Sequence, residues 1–478
     1  MSIKKQVICL TSARLIESVL LFATPMVLTR YIEPSEFGLY RLFWLIVSTI
    51  IIIVPLGMPR SLLYFIPRLD DEGRNVYVTQ TVLFLLVAGM FSALVFMPWN
   101  IMLPTSLMEG LVNENYEVIS IFVCLWIFTH VFDFLPNALN KISFQAISTI
   151  VLALIRSSLV IYAAINYREI EYLIIAITIS AIIKLLFLLY FLFVNFSCKF
   201  KKNEFKKQLN YAVPFGLSGT VYTLRKYGEQ WIVAFLFLPS EFASFSLAAM
   251  ILMPFNVISS SVTNVILPKM SLFFAEAKVS LCVNYNKTAN LLISMLFFPL
   301  GTFVFVYSED IVLLVFGEKY LDVIPVMRIY IVQVYLTLEV GSLISVLNKG
   351  KFNLIYNIIV LMFSLLLSYL FAKEIGLVGA AIGSVAASFL GYLIVFYKLS
   401  NYLNIRVRHL QYWKHLIFYL CLSWVSIYAI EYLDDLFQLE MYRFLKLSVI
   451  FCEYFVVYMF LLLMFGQYKF FNRIVSNL

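Results

Sequence analysis

Charge is scarce in this chain. Only 13% of its 478 residues are Asp, Glu, Lys or Arg, against about 25% in an ordinary soluble domain, while 62% are hydrophobic and the mean hydropathy is +0.93. A soluble fold could not cover that much apolar surface, which argues against a water-soluble enzyme or binding module. The six cysteines (Cys9, Cys124, Cys198, Cys282, Cys421 and Cys452) form no CxxC and fall in apolar runs or in segments assigned to the cytoplasmic side. That placement argues against a disulfide framework or a zinc site. Enzyme signatures are also missing: there is no GxSxG, HExxH, phosphate loop or DxD, and no hydrophilic stretch large enough to house one. The acidic doublets Asp70-Asp71 and Asp434-Asp435 read as solvated loops. No cofactor or metal is expected, and the chain is not expected to be an enzyme.

What the chain has instead is long apolar runs. Cut at the roughly 20 residues that a helix needs to cross hydrocarbon, the sequence yields about fourteen of them. The N-terminal run follows Lys4 and Lys5 but carries Arg14 and Glu17 and continues to about Leu28, so it reads as an uncleaved first helix rather than a signal peptide. The net charge of +8 lies mostly between the runs rather than in one hydrophilic domain, the pattern of a membrane orientation signal and not of a nucleic-acid surface. With the N-terminus inside, about 22 Lys and Arg fall in cytoplasmic segments against about 6 outside, which places both termini in the cytoplasm.

Two short segments return in order. Leu139-Asn140-Lys141-Ile142-Ser143-Phe144 is echoed by Leu347-Asn348-Lys349-Gly350-Lys351-Phe352, and Pro34-Ser35-Glu36-Phe37 by Pro239-Ser240-Glu241-Phe242. A weaker pair is Ile66-Pro67-Arg68 and Leu267-Pro268-Lys269. Each pair falls on one side of the membrane, as expected of parallel repeats with an even number of helices per copy. The expected architecture is therefore an all-α polytopic membrane protein with about fourteen transmembrane helices. It comprises an N-terminal six-helix lobe (1–198), a basic linker (199–208), a C-terminal six-helix lobe (209–400) and two additional helices (401–478). The bland reading of the linker lysines, an anchor against anionic membrane lipid, is preferred. Two parallel copies of one bundle are the plan of a transporter.

Seven basic residues lie within the spans: Arg14, Arg41, Arg156, Lys184, Arg225, Lys226 and Arg328. Each costs about 2.5–3.5 kcal/mol if left facing lipid near the bilayer centre, so partners or a wet cavity are required. Arg14 and Glu17 are three apart, as are Lys226 and Glu229, so each pair shares a helical face. Two readings stand for them: internal salt bridges, or a cationic lumen tuned by the carboxylates. Arg156 and Lys184 lie too deep for easy snorkelling, whereas Arg41 and Arg328 lie near the outer interface. The candidate lumen set is Arg14, Arg156, Lys184, Arg225 and Lys226, with Glu17, Asp133, Glu229 and Glu339 as charge partners or coupling groups. Fixed positive charge suits an anionic headgroup, and the Arg fork suits phosphate. His130 and Asp133, three apart, read chiefly as a structural pair.

The order Arg30-x-x-x-Pro34-x-x-Phe37-Gly38-x-Tyr40, then Gly57 through Pro67-Arg68, Tyr211-Ala212-Val213-Pro214-Phe215, and Gly376-x-x-Gly379-Ala380-Ala381-x-Gly383 resembles the polysaccharide biosynthesis flippases. These are O-antigen-type lipid-linked oligosaccharide exporters of the multidrug/oligosaccharidyl-lipid/polysaccharide (MOP) superfamily. The resemblance covers nearly the whole chain, although each motif is degenerate. It implies a carrier of the inner membrane that takes an undecaprenyl-pyrophosphate-linked sugar unit to the outer leaflet by alternating access, for lipopolysaccharide or related surface glycans. It also implies functional Arg and Lys residues facing the lumen, here Arg14, Arg225 and Lys226. The partners that follow are the lipid-linked oligosaccharide, membrane lipid, a sodium or proton coupling ion and a polysaccharide polymerase. Two alternatives remain: a multidrug exporter of the same superfamily, whose lumen should favour acidic residues, and a membrane polysaccharide polymerase.

Overall fold

The computed structural model describes residues 3–94, 96, 115–347, 349–437 and 443–466, and no strand occurs among them. Asn348 of the second Leu-Asn-Lys turn lies outside this set, as do the side chains of Lys4, Lys5, Asp434 and Asp435. The chain forms α1 (Ile3–Tyr31), α2 (Pro34–Ile53), α3 (Met58–Phe65), α4 (Asp71–Leu94), α5 (Tyr116–Thr129), α6 (Leu135–Ala138), α7 (Ile142–Asn166) and α8 (Ile170–Asn195). It continues with α9 (Lys202–Leu236), α10 (Pro239–Met250), α11 (Leu252–Ala275), α12 (Val279–Val306), α13 (Ser308–Val315), α14 (Val323–Leu336) and α15 (Gly341–Val346). The last helices are α16 (Gly350–Ile375), α17 (Leu377–Leu403), α18 (Trp413–Phe437) and α19 (Arg443–Met464).

Among the described residues, 12 helical segments are long and apolar enough to cross a membrane. Two further helices complete the expected set of about fourteen. The first, α9, carries Arg225, Lys226 and Glu229 in its apolar stretch, and the second, α14, has only 14 residues. Large apolar side chains that no helix covers, such as Phe193 at 90% and Phe91 at 71% exposure, are suited to lipid, since hydrocarbon imposes no cost on them.

The two clear sequence echoes are echoes of structure. Both Pro-Ser-Glu-Phe segments start a helix with Pro in the first turn, where its missing N–H is no loss. The following Phe, Phe37 or Phe242, is buried. Glu241 Oε2 accepts the Leu238 N–H at 3.0 Å, closing its own helix start, whereas Glu36 Oε2 accepts the N–H of Ile170 at 2.7 Å and so ties α2 to α8. Both Leu-Asn-Lys turns close with the lysine N–H donated five residues back, Lys141 to Pro136 and Lys349 to Ile344. Each lysine then lies over an aromatic ring, Phe191 at 5.2 Å and Tyr402 at 4.7 Å. Phe144 and Phe352 pack on those same rings. The third, weaker pair is not repeated: Ile66–Arg68 is a 3-10 turn after α3, whereas Leu267 to Lys269 lies inside α11.

Contacts divide the chain into two compact units, Met1–Ser246 and Leu247–Leu478. The expected lobes of the sequence would instead part at residues 199–208, away from this boundary. The physical reason is α9, which is bonded to α2, α3 and α4 along its length. Gln208 Nε2 donates to Ser61 and Thr81 at 2.9 and 2.8 Å, Tyr77 donates to Glu204 at 2.6 Å, and Trp231 Nε1 donates to Thr49 at 3.1 Å. Tyr64 stacks on Tyr211 at 4.4 Å. At the other end of α2, a Cβ on Gly38 would meet the Pro239 carbonyl oxygen at 1.8 Å, so only glycine allows α10 to approach so closely. Arg41 Nε donates to Ser246 beside this contact, at 3.1 Å.

In the second unit α12 is the spine. Its residues Phe298 and Phe303 pack against Tyr419, Tyr454 and Tyr458 of α18 and α19, and Tyr458 donates to the Met295 carbonyl at 3.2 Å. The hairpin of α16 and α17 is held by Gly379 and Gly383, where a Cβ would lie 1.9 Å from the Phe371 oxygen and 2.4 Å from the Ser368 nitrogen. This is the small-residue contact by which membrane helices approach closely, and it accounts for the Gly379-x-x-x-Gly383 spacing.

Candidate functional site

Within the first unit, α1, α5, α7 and α8 surround a cavity of about 310 Å³. Each helix supplies residues at helical spacing: Arg14 and Glu17 from α1, Gln145, Thr149 and Arg156 along one face of α7, and Ser180 and Lys184 from α8. The helix α1 packs along α7, and Thr24 donates to Ser157 across them at 3.0 Å. The fourth wall is a broken helix. After Thr129 the chain turns through a 3-10 segment, His130–Asp133, before the short α6 with Pro136 in its first turn. Proline has no N–H to continue the helix, and the break turns Asp133 into the cavity.

The charges are met unequally. Lys184 Nζ lies 2.8 and 3.0 Å from the two carboxylate oxygens of Asp133 and 4.8 Å from the Trp126 ring. The sequence pairing of His130 with Asp133 is not the one formed. Asp133 takes Lys184, from a helix 51 residues away, and His130 stacks on Phe134 at 5.4 Å, its Nδ1 without a hydrogen-bond partner among the described residues. The Arg156 guanidinium sits 5.7 Å from the rings of both Trp44 and Trp126. Cation–π contact is worth about 0.5–2 kcal/mol, enough to offset part of the cost of the charge and to leave the guanidinium's N–H donors available. Among the described residues neither Arg14 nor Arg156 has a carboxylate within 4.0 Å, so the Arg14–Glu17 pair does not close into an ion pair. Glu17 instead shares the cavity with both arginines.

The structure thus brings Arg14, Arg156, Lys184, Glu17 and Asp133 together. Arg225, Lys226 and Glu229 lie on α9 and do not line this cavity. Lys226 is exposed, with its ammonium 5.3 Å from the Tyr227 ring. Glu339 is in the second unit, in the gap between α14 and α15, where its Oε1 accepts from the Ser342 N–H and hydroxyl at 2.8 and 3.0 Å. Arg41 and Arg328 are bound to Ser246 and Ser308. Sequence reasoning missed Trp44, Trp126, Gln145, Thr149 and Ser180. The i, i+4, i+11 spacing of Gln145, Thr149 and Arg156 was the available signal, a polar stripe on an otherwise apolar helix.

Solved structures with this fold include a lipid II flippase MurJ in an inward closed conformation, with TM-score 0.73 and 15% identity, covering 97% of this chain and 100% of that one. An inward-facing multidrug resistance MATE family transporter of the MOP superfamily matches with TM-score 0.62 and 18% identity, over 81% of this chain and 96% of its own. A MOP superfamily transporter from Pyrococcus furiosus Vc1 (DSM3638), described as having a binding pocket of reversed polarity, matches with TM-score 0.54 and 15% identity over 83% and 94% of the two chains. Comparison with curated protein sequences gave no match. At these identities the likenesses show the fold alone. A family model described as polysaccharide biosynthesis protein matches residues 27–325, more than half of the chain, and this protein belongs to that family.

Proposed function

We propose that the chain is a flippase that carries a polyprenyl-pyrophosphate-linked oligosaccharide from the cytoplasmic to the outer leaflet of the inner membrane by alternating access, with both termini in the cytoplasm. The observation that carries this reading is the cavity of about 310 Å³ in which Arg14 and Arg156 keep their donors uncommitted while Lys184 is held by Asp133. A pyrophosphate offers oxygens for two Arg forks, and the Trp126 ring and the polar edge of Gln145, Thr149 and Ser180 suit the adjoining sugar. An organic cation would meet like charge there. In the same reading Arg225 and Lys226, beside Glu229, add positive charge for the headgroup. Glu17, Asp133 and Glu339 are the candidate groups for coupling to sodium or protons, and a polysaccharide polymerase receives the flipped unit.

The test is complementation of a deletion strain together with ethidium efflux in the same cells. Wild-type protein restores the surface glycan and Arg156→Ala does not, although it inserts to the same level. Full restoration by Arg156→Ala, or efflux of ethidium that needs Glu17, overturns the proposal.

A further inference from the structure

Outside the candidate site, two cavities adjoin at the C-terminal end of α8, one of them beside the Leu139-Asn140-Lys141 turn. The first, about 390 Å³, is lined by Asn140, Lys141, Ser143, Phe144, Phe191 and Asn195. The second, about 670 Å³, is an apolar trough between α4 and α8, lined by Val82 and Leu83 on one side and Leu186, Leu189 and Phe193 on the other. Tyr190 lines both, so the polar and apolar spaces are neighbours across one side chain. The trough is open at the protein surface, where Leu186, Tyr190 and Phe193 are exposed.

The end of the trough is fixed by a strap of extended chain running from α8 to α9. The Ser197 N–H donates to Asn75 at 3.1 Å, the Lys199 N–H to Thr79 at 3.3 Å, and Gln80 donates to the Lys201 carbonyl at 2.7 Å. Glu72 takes the ammonium groups of Lys199 and Lys201 at 3.5 and 3.3 Å. Lys141 has a neutral partner, the Asn195 side chain. Among the described residues Lys141, Lys202 and Lys206 have no carboxylate within 4.0 Å. The Lys141 ammonium, without a carboxylate partner among the described residues, therefore lines the polar cavity that adjoins the apolar trough.

We propose that this double cavity binds an anionic phospholipid, the headgroup phosphate resting on Lys141 and Asn195 and one acyl chain lying in the trough between α4 and α8. The chemistry selects the ligand on two counts. A free phosphate would satisfy Lys141 but leave the trough empty. A zwitterionic lipid would bring its own ammonium group beside the Lys141 ammonium, whereas an anionic lipid complements it. Lys141 is held in place by its contact with the Phe191 ring, which orients the ammonium beside the cavity without neutralising it.

The experiment is native mass spectrometry of the full-length protein incubated with phosphatidylglycerol or with phosphatidylcholine of the same acyl chains. The expected result is preferential retention of phosphatidylglycerol. Lys141→Gln should weaken that binding about fivefold and leave phosphatidylcholine unchanged. Lys141→Arg should bind like wild type, which separates loss of charge from loss of fold. Leu189→Trp, filling the trough, should lower retention of both lipids. Equal retention of the two lipids by wild type, unchanged phosphatidylglycerol binding by Lys141→Gln, or equal loss of both lipids in that variant overturns the assignment.

Discussion

The fourth and tenth spans hold equivalent places in the repeat, each leading into a Leu-Asn-Lys turn, and both are interrupted in their last turns. In the first unit the interruption lies between α5 and α6 and sends a carboxylate, Asp133, across to Lys184 at the wall of a cavity. In the second it lies between α14 and α15 and is closed by uncharged amides. Asn286 and Asn290 donate to the Glu339 carbonyl at 2.6 and 3.1 Å, and the Glu339 N–H donates to Asn290 at 2.6 Å. Gln411 Nε2 donates to Asn286 at 3.1 Å. Freed backbone groups must be satisfied at membrane depth, and the second unit does so within the joint itself, with the amides of Asn286 and Asn290 on Glu339 and the Glu339 carboxylate on the Ser342 N–H. A similar backbone break thus borders a charged cavity in the first unit and forms a self-contained joint in the second, alike in backbone and unlike in chemistry.

The largest expected effect separates the two chemistries. Arg156→Ala should lower glycan export about 1000-fold, since an Arg–phosphate contact at an effective dielectric near 20 is worth on the order of 4 kcal/mol, with thermal stability in detergent little changed. A variant that loses stability and export together would remove the contrast. Next, Asp133→Ala strands the Lys184 ammonium and should cost about 1.5–3 kcal/mol. The double variant Asp133→Ala with Lys184→Met should recover most of the melting temperature but not the export. In the second unit Asn290→Ala should cost about 1–3 kcal/mol by leaving the Glu339 N–H unpaired. Its export per folded molecule should stay at the wild-type level, and a fall would place the second joint in the transport path. Glu339→Gln keeps an acceptor for Ser342 and should change the melting temperature by less than about 1 kcal/mol equivalent. The smallest effect, about 0.5–1 kcal/mol each, is expected of Lys141→Met and Lys349→Met, and similar values would show the two turns to be energetically as well as geometrically alike.

The membrane plan was legible because it is written in local signals: apolar length, proline at helix starts and the two repeated turns. The arginines and Lys184 were legible as costly charges. Their partners were not, because Asp133 reaches Lys184 across 51 residues and Trp44 reaches Arg156 from a separate helix. Periodicity within one helix carries no information about such meetings. It also misassigned Asp133 to His130, its neighbour on the same helix. The breaks after Thr129 and Leu336 were hidden for a related reason. Pro136 marks the first, but the second contains no proline and depends on Asn286 and Asn290 of α12 to hold Thr337 to Val340 out of helix.

The bonding of α9 to the first unit has a consequence for how the chain is made. A nascent polypeptide that has emerged only as far as the end of α8 has made every helix before α9. Its Ser61, Tyr77 and Thr81 still await Gln208 and Glu204, and Thr49 awaits Trp231. The first unit is then an unfinished assembly until α9 arrives to complete it. The ribosome must build past residue 231 before the helices already made can settle.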